Sequence, residues 1–274
     1  MLTSSVGLRH VAAAVAAACT GSFLLMDCNP SLYCYDRYLQ VTSPSPRQGG
    51  QGHIKSAAST ASVTGAVSCG GYHNFHDTKC VWIVGASSGI GREMAEQLAV
   101  SGVQHLVLSS RSAAKCNAVA DECRNLNPGC RLTVLPVDVT DTDSLKGAVQ
   151  AIANDIPGVG WPLDMVVMNA GVGQLLPALE TDAATTEHIV RSNALWPMIL
   201  TPLLFAKTPA TASQQSSQQS PHLVITSSIA GKLAVPLSAA YAASKFAIQG
   251  YFSSLSCDRP DLRIVLLCPV RVDI

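Results

Sequence analysis

The sequence predicts an α/β fold built on a doubly wound parallel sheet, and three observations support this prediction. From residue 75 onward, short apolar runs alternate with amphipathic helical stretches. The runs are rich in Val, Ile and Leu and show little polar alternation, which is typical of strands covered by helices on both faces. A glycine-rich segment, residues 85–91, joins the first run to the first helix, as in many nucleotide-binding sheets.

The apolar runs are the predicted strands, and the amphipathic stretches between them are the predicted helices. The strands cover residues 80–84, 104–109, 131–137, 163–168, 222–227 and 262–268. The helices lie near residues 89–101, 112–126, 142–154, 183–206 and 240–257, and Thr140 or Asp141 can cap the third. Right-handed crossovers make the sheet parallel, and ligands then bind at the carboxyl ends of the strands, where the strand order reverses.

Residues 1–74 differ in composition from the rest of the chain. We predict that residues 75–274 form the nucleotide-binding domain. The apolar run 11–26 is shorter than the roughly 20 residues that span a bilayer as a helix. It matches the hydrophobic region of a secretory signal or a signal anchor. Residues 42–71 are rich in Ser, Gly, Ala and Thr, as in a linker or a transit-type extension. We therefore predict a targeting segment; the alternative is a disordered tail with an alanine-rich helix.

Charge and cysteine content exclude several classes of function. The net charge is zero and 13% of the residues are charged, which argues against nucleic acid as a partner. The ten cysteines form no Cys-x-x-Cys pair and no disulfide framework. We expect no metal site, because Cys69, His73, His76 and Cys80 fit a loop with coincidental ligands better than a metal cluster.

The glycine-rich segment is the first candidate binding element. It reads Gly-x-x-x-Gly-x-Gly rather than the Gly-x-Gly-x-x-Gly of the dinucleotide fingerprint. Glycines allow a tight turn and close backbone approach, and the first-turn N–H groups of the helix can face a pyrophosphate. A bare glycine triplet is equally an ordinary turn, but the flanking strand and helix favour cofactor binding by Gly85, Ser87, Ser88, Gly89, Ile90 and Gly91.

The end of the second strand indicates which cofactor is bound. In a dinucleotide-binding fold an acid here holds the ribose 2′-hydroxyl, whereas an arginine accommodates a 2′-phosphate. This chain has Ser110 and Arg111, so we predict NADP rather than NAD, with Arg92 as a helper. The alternative is that Arg111 caps the next helix or lies in solvent.

The third and fourth strands also end in candidate cofactor ligands. Asp138, followed by Val139, can accept a hydrogen bond from an adenine amino group. The segment Asn169-Ala170-Gly171 would bring backbone close to the cofactor's ribose. Either can equally be a plain turn, since Asp, Asn and Gly are common turn residues.

The candidate acid–base pair lies on the helix near residues 240–257. Tyr241 and Lys245 are four residues apart and therefore share one helix face. An ammonium group beside a phenol favours the phenolate, which suits general acid–base chemistry. Ser228, at the end of the fifth strand, can offer a hydroxyl to the same carbonyl oxygen. A Tyr-x-x-x-Lys pattern alone is often only a solvated helix face.

Together these residues resemble the short-chain dehydrogenase/reductase family in its single-domain, Rossmann-type form, over residues 76–274. The order and spacing agree for Gly85-x-x-x-Gly89-x-Gly91, Asp138, Asn169-Ala170-Gly171, Asn193, Ser228, Tyr241-x-x-x-Lys245 and Cys268-Pro269. Residues 76–83 look most like a membrane-associated subgroup that includes dehydrogenase/reductase member 7 and the 11β-hydroxysteroid dehydrogenases.

The resemblance implies an NADP-dependent oxidoreductase that interconverts an alcohol and a carbonyl. Tyr241 would exchange the proton, Ser228 would orient the carbonyl, Lys245 would favour the phenolate and hold the nicotinamide ribose, and Asn193 would support a water-linked proton relay. Pro269 and Val272 would contact the cofactor.

The resemblance also carries expectations about substrate, assembly and location. The loops 172–176 and 229–235 are apolar and favour a lipophilic carbonyl substrate. A homodimer through the helices near 183–206 and 240–257 and a location in the endoplasmic reticulum or another organelle, through residues 11–26, are further expectations.

The sequence departs from the family pattern near its end. Val270 stands where the family has glycine, Ile274 where it has Ser or Thr, and Trp196 where a glycine follows Asn193. The chain ends before the helix pair and edge strand that the family adds, so we expect a C-terminally truncated sheet whose sixth strand is an uncovered edge. The alternative function is a catalytically impaired nucleotide-binding module or fragment.

Overall fold

The computed structural model describes residues 78, 80–154, 163–206 and 221–269, together with the backbone of residues 23–27. All of them belong to one of the two units into which the chain divides, the unit that comprises residues 1–28 and 73–274. The predicted linker, residues 42–71, lies outside the described residues, as do Cys69, His73 and His76 of the discounted metal cluster.

Within the described residues, seven strands form one sheet. They are β1 (Phe23–Asp27), β2 (Cys80–Val84), β3 (His105–Ser109), β4 (Arg131–Val134), β5 (Met165–Met168), β6 (His222–Thr226) and β7 (Ile264–Pro269). Their order is β1-β7-β6-β5-β2-β3-β4. Strands β2 to β7 are parallel, and the strand order reverses between β2 and β5. The doubly wound α/β prediction is confirmed.

Helices lie between the parallel strands, as predicted. They are α1 (Gly89–Val100), α2 (Ala113–Leu126), α3 (Thr142–Asn154), α4 (Ala183–Val190), α5 (Trp196–Ala206) and α6 (Ala239–Asp258). The predicted cap of α3 is Asp141, whose carboxylate accepts from the backbone N–H of Asp143 at 3.0 Å. The predicted helix over 183–206 contains a π-helical turn, Arg191–Leu195, between α4 and α5. Such turns often occur at functional sites.

Two apolar layers pack on the two faces of the sheet. On one face Trp82 of β2 packs with α3, α5 and α6 through residues such as Leu145, Leu200 and Phe252. On the other face Ile83 packs with α1 and α2. Since both faces of β2 are buried, its sequence shows no polar alternation.

The predicted strand ends were less accurate than the predicted strands. The third strand was predicted over 131–137 but ends at Val134. Pro136 has no backbone N–H to donate to a ladder. The starts or ends of β3, β5, β6 and β7 differ from the prediction by one or two residues.

The prediction that the last parallel strand is an uncovered edge is wrong. β1 pairs with β7 in antiparallel register, from Phe23 opposite Pro269 to Asp27 opposite Val265. The covering strand comes from the apolar run 11–26, which is therefore not helical throughout. The pairing satisfies the N–H and C=O groups on the outer side of β7, and β1 takes its place as the outer strand of the described sheet.

Among the described residues, one helical stretch is long and apolar enough to cross a membrane, judged by length and composition alone. It is Ala183–Ala206, with a mean hydropathy of 1.3, and half of it is buried inside the fold. Trp196, Leu200 and Leu204 of this stretch pack against the sheet. We therefore interpret it as a core helix.

Candidate active site

The glycine-rich turn after β2 can be built only with glycine at its critical positions. Gly85 has φ +94° and Gly89 has φ +55°, which disfavour other residues. A Cβ on Gly91 would lie 2.0 Å from the Gly85 carbonyl oxygen, and a Cβ on Gly85 would lie 2.5 Å from the Ala170 nitrogen. Ser88 precedes α1 without a side-chain cap. The Ser88 side chain therefore leaves first-turn N–H groups of α1 available to another acceptor, at a helix start that lines the cavity.

A cavity of about 720 Å³ lies at the carboxyl ends of the parallel strands, beside the point where the strand order reverses. Most of the predicted site residues line it: Gly85, Ser87, Ser88, Gly89, Ile90, Ser110, Arg111, Val139, Asn169, Ala170, Gly171, Ser228, Tyr241, Lys245 and Pro269. Gly91, Asp138 and Asn193 are not among the lining residues. Val272 lies outside the described residues.

Two cations line the end of the cavity next to β3. Arg111 is exposed there, as predicted, and so is Lys115, which sequence reasoning missed. The missed signal was spacing, because Lys115 stands four residues after Arg111 in the first turn of α2. Ser112, not Arg111, caps α2 by accepting from the Lys115 N–H. The alternative that Arg111 is a helix cap is therefore wrong.

Arg92 is engaged in two ion pairs. Its guanidinium contacts the carboxylates of Glu96 at 2.8 Å and Glu122 at 2.9 Å. It does not line the cavity, and its contacts join α1 to α2; its role as a helper for a 2′-phosphate stays a prediction.

Asp138 is held within its own turn. Its carboxylate oxygen Oδ1 accepts from the Thr140 N–H at 2.9 Å and from the Thr140 hydroxyl at 2.7 Å. These hydrogen bonds lower the pKa of the Asp138 carboxyl. The neighbours Val137, Val139 and Thr140 line the cavity instead.

Asn169 fastens three strand ends together. Its side-chain nitrogen donates to the Gly85 carbonyl at 3.0 Å, and its side-chain oxygen accepts from the Thr226 hydroxyl at 2.9 Å. The amide therefore joins the ends of β2, β5 and β6. The next residue, Ala170, accepts from the Trp196 indole at 3.2 Å. Trp196, noted above as a departure from the family, thus supports this loop from the core.

Ser228, Tyr241 and Lys245 all reach the same cavity. The Lys245 side chain is 4% exposed, and its ammonium donates to the Thr226 carbonyl at 2.9 Å. Burial lowers the pKa of Lys245 to about 8. Its Nζ lies 5.6 Å from the centre of the Tyr241 ring. Ser228 is buried, and its Oγ accepts from the Ala230 N–H at 3.2 Å.

Asn193 lies in the π-helical turn and is buried. Its amide nitrogen donates to the Val172 carbonyl at 2.9 Å and to Ser244 Oγ at 3.1 Å, and its oxygen accepts from the Val172 N–H at 2.7 Å. A Cβ on Gly171 would lie 3.0 Å from the Asn193 oxygen and 3.7 Å from Lys245 Nζ. Asn193 therefore joins the loop after β5 to α6, close to Lys245.

The loop after β5, which contributes Val172 and Gly173 to the cavity lining, and the loop before α6 both expose apolar side chains. The loop after β5 and the loop before α6 pair through an isolated bridge between Leu176 and Ser238. Large apolar side chains are exposed on these loops: Leu175, Leu176, Leu179, Leu233, Val235 and Leu237. Val270 and Ile274, two of the departures from the family pattern, lie outside the described residues.

Known proteins share this sequence pattern and fold. A family model for the short chain dehydrogenases matches residues 79–273. Dehydrogenase/reductase SDR family member 7 from Mus musculus is 34% identical over 71% of this chain and 56% of its own length. Dehydrogenase/reductase SDR family member 7B from Danio rerio is 31% identical over 70% of this chain and 60% of its own.

Solved structures agree. A metagenomic short-chain oxidoreductase in complex with NADP aligns with a TM-score of 0.60 and 26% identity, over 69% of this chain and 80% of its own. A short chain dehydrogenase from Shigella flexneri aligns with a TM-score of 0.59 and 27% identity, over 70% of this chain and 71% of its own.

The chain spans a little over half the length of the curated relatives that it matches. The family model nevertheless covers most of the chain, and its matched region contains the whole cavity lining. The chain therefore belongs to the short chain dehydrogenase family.

Proposed function

We propose that the protein is an NADP-dependent oxidoreductase that interconverts an alcohol and a carbonyl compound. The observation that carries the proposal is the burial of Lys245 beside Tyr241, in a cavity that continues to the glycine-rich turn. A buried ammonium close to a phenol favours the phenolate, and the turn offers backbone N–H groups to a pyrophosphate.

The proposed chemistry uses three side chains of the cavity. A nicotinamide cofactor, when bound, supplies or accepts the hydride. In the reductive direction Tyr241 donates its hydroxyl proton to the substrate oxygen as the carbonyl carbon gains hydride, so that the C=O π bond is replaced by a C–H and an O–H bond. Lys245 stabilises the resulting phenolate, and Ser228 donates a hydrogen bond that orients the carbonyl.

Arg111 and Lys115 support NADP as the cofactor. Both are exposed cations that line the cavity at the end of β3, where a 2′-phosphate would lie in this fold. Solved relatives point the same way, since one that aligns at 26% identity was determined with NADP. NAD lacks that phosphate, so the two cations would not strengthen its binding at this position.

Exposed apolar side chains on two loops support a lipophilic substrate. Six of them lie on the loop after β5 and the loop before α6, and an apolar ligand would remove part of that surface from water. We further propose a homodimer through the helical stretch 183–206 and α6, which expose Leu195 and Phe246 respectively. Sedimentation of the full chain tests it. Membrane association and an endoplasmic reticulum location stay predictions.

Fluorescence titration of the full chain with NADPH and NADH tests the cofactor. We expect tighter binding of NADPH, and we expect Arg111→Ala with Lys115→Ala to weaken NADPH by about tenfold while leaving NADH within about twofold. The matched control is Lys146→Ala, on the exposed side of α3. Equal weakening of both cofactors would contradict the assignment of the two cations.

A panel of lipophilic aldehydes and ketones with NADPH tests the reaction. We expect turnover by the wild type and a loss of more than about a hundredfold in Tyr241→Phe, which keeps the ring and removes the proton donor. NADPH binding without turnover of any carbonyl would favour the nucleotide-binding module over the enzyme.

A further inference from the structure

The helix that carries Tyr241 and Lys245 lacks a cap from its own sequence. Ser238 occupies the N-cap position of α6, with φ −138° and ψ 33°, and its side chain makes no capping hydrogen bond. Its hydroxyl donates instead to the backbone carbonyl of Gln174, at 3.1 Å. The first turn of a helix exposes N–H groups that need acceptors, so another residue must supply one.

Gln174, in the loop after β5, supplies that acceptor. Its side-chain oxygen Oε1 accepts from the backbone N–H of Tyr241 at 3.1 Å. Tyr241 is the third residue of α6, the position whose N–H an N-cap side chain commonly satisfies. The other end of the amide is also held, because Nε2 donates to the Thr181 hydroxyl at 2.8 Å, which in turn donates to the Pro177 carbonyl at 2.9 Å.

A backbone ladder fixes the same two segments next to this cap. The Leu176 N–H donates to the Leu237 carbonyl at 2.8 Å, and Leu176 forms a parallel bridge with Ser238. Leu237 has φ +59°, a left-handed conformation that is unfavourable for leucine. Its side chain is about half exposed, so burial does not explain the strain. The hydrogen-bonded junction with the loop does.

We propose that Gln174 is a positioning residue that caps α6 from the substrate-side loop and so fixes the backbone of Tyr241 relative to that loop. This inference rests on the proposed function, in which Tyr241 is the proton donor. As a consequence, the loop after β5 and the proton donor Tyr241 keep a fixed relative position. Loss of the Gln174 oxygen would then affect the chemical step, while the cofactor end of the cavity, near Arg111, stays unchanged.

Two variants of the full chain separate the cap from side-chain shape. Gln174→Leu keeps the approximate volume and removes the acceptor, whereas Gln174→Glu keeps an acceptor oxygen, which a helix N-terminus favours. The matched control is Gln150→Leu, because Gln150 is exposed on α3, away from the cavity. Thr181→Val is a further, milder variant, since it removes only the hydroxyl that accepts from Gln174 Nε2.

The first readout is hydrogen exchange at the Tyr241 amide, measured by NMR. We expect exchange at least about tenfold faster in Gln174→Leu, near wild-type exchange in the control, and intermediate rates in Gln174→Glu and Thr181→Val, which both lose the hydrogen bond from Gln174 Nε2 to the Thr181 hydroxyl. This measurement does not depend on turnover. An unchanged Tyr241 amide in Gln174→Leu would overturn the proposal, and if that variant fails to fold, an unchanged amide in Thr181→Val would do so.

The second readout is steady-state kinetics with NADPH and whichever carbonyl is turned over. We expect kcat to fall by about tenfold or more in Gln174→Leu, with the dissociation constant of NADPH within about twofold, and most of kcat to return in Gln174→Glu. Equal losses in the two variants would overturn the proposal, because they would show that shape matters and the acceptor does not. A wild type without turnover would refute the proposed function, and the exchange experiment would still decide the cap.

Discussion

Burial of Lys245 makes the stability of the fold depend on pH in a direction opposite to that of buried thiols. The ordinary pKa of 10.5 falls to about 8 because the ammonium is desolvated, an effect that the Cys268 thiol offsets in part. At 1.36 kcal/mol per pH unit, the gap between 10.5 and about 8 corresponds to roughly 3 kcal/mol. This free energy is the cost of keeping the lysine charged in the folded state.

The free energy of unfolding changes with pH according to the number of protons that the folded and unfolded states bind. Between pH 8 and 10.5 the unfolded lysine is still protonated while the folded one is not, so the unfolded state binds more protons and the free energy of unfolding rises with pH. Below pH 8 the whole penalty is present. From pH 7 to pH 9 the wild type should gain roughly 1.3 kcal/mol relative to a variant without this lysine.

The assay is urea unfolding of the full chain at pH 7, 8 and 9, for the wild type and Lys245→Met. Burial raises the pKa of Cys80 and Cys123 to about 12. Their thiols ionise first in the unfolded state, so they destabilise the fold as the pH rises through 9. This effect is common to both proteins and cancels in the difference. A difference that stays constant from pH 7 to 9, or that grows in favour of Lys245→Met, would refute the lowered pKa of the buried Lys245.

Four further substitutions test the turn, a glycine on α3, the strained residue and the covered edge. Gly91→Ala should lower the free energy of unfolding in urea by more than about 2 kcal/mol and prevent NADPH binding, because its Cβ would lie 2.0 Å from a carbonyl oxygen. Gly147→Ala should raise the free energy of unfolding by up to about 1 kcal/mol, because its Cβ would have no other atom within 4 Å. Leu237→Gly should raise the free energy of unfolding by about 0.5 kcal/mol, since glycine adopts a φ of +59° without strain. Leu24→Cys should form a disulfide with Cys268, its register partner, detectable by peptide mass mapping.

Each of these has a result that counts against it. NADPH binding by Gly91→Ala would mean that the turn tolerates a side chain, and a less stable Leu237→Gly would mean that φ at this residue carries no strain. For the edge, Leu25→Cys is the control, because adjacent residues of a strand point to opposite faces. Equal yields of the Cys268 disulfide from both variants would argue against the antiparallel register.

The parallel sheet could be predicted because its signal is local. Trp82 and Ile83 face opposite layers of helices, both are buried, and the run around them is therefore apolar at every position. The glycine turn is local in the same sense, since Gly85 and Gly91 must approach each other within one turn. The candidate site followed, because the carboxyl ends of parallel strands converge whatever the loops contain.

The edge strand could not be predicted, because its partner lies far along the chain. Phe23–Asp27 belongs to an apolar run that fits a signal sequence as well as a strand. The local sequence of these five residues carries no information about β7, their pairing partner, which lies more than two hundred residues away. Pairing between distant segments is decided by the rest of the fold, whereas a helix or a turn is decided largely by its own residues.

The start of α6 shows the same limit on the scale of one hydrogen bond. Capping rules direct attention to Ser238, which has the right side chain in the right place, yet the acceptor for the Tyr241 N–H comes from Gln174, 67 residues before Tyr241. The Ser238 hydroxyl is engaged by the loop that provides this acceptor. The loop is held again at Val172 by Asn193. One end of the loop is thus tied to the π-helical turn and the other to α6. Under the proposed function, substrate preference then depends on the side chains that residues 172–176 present, chiefly the exposed Leu175. Substitution of Leu175 should therefore change which carbonyl is accepted without moving Tyr241.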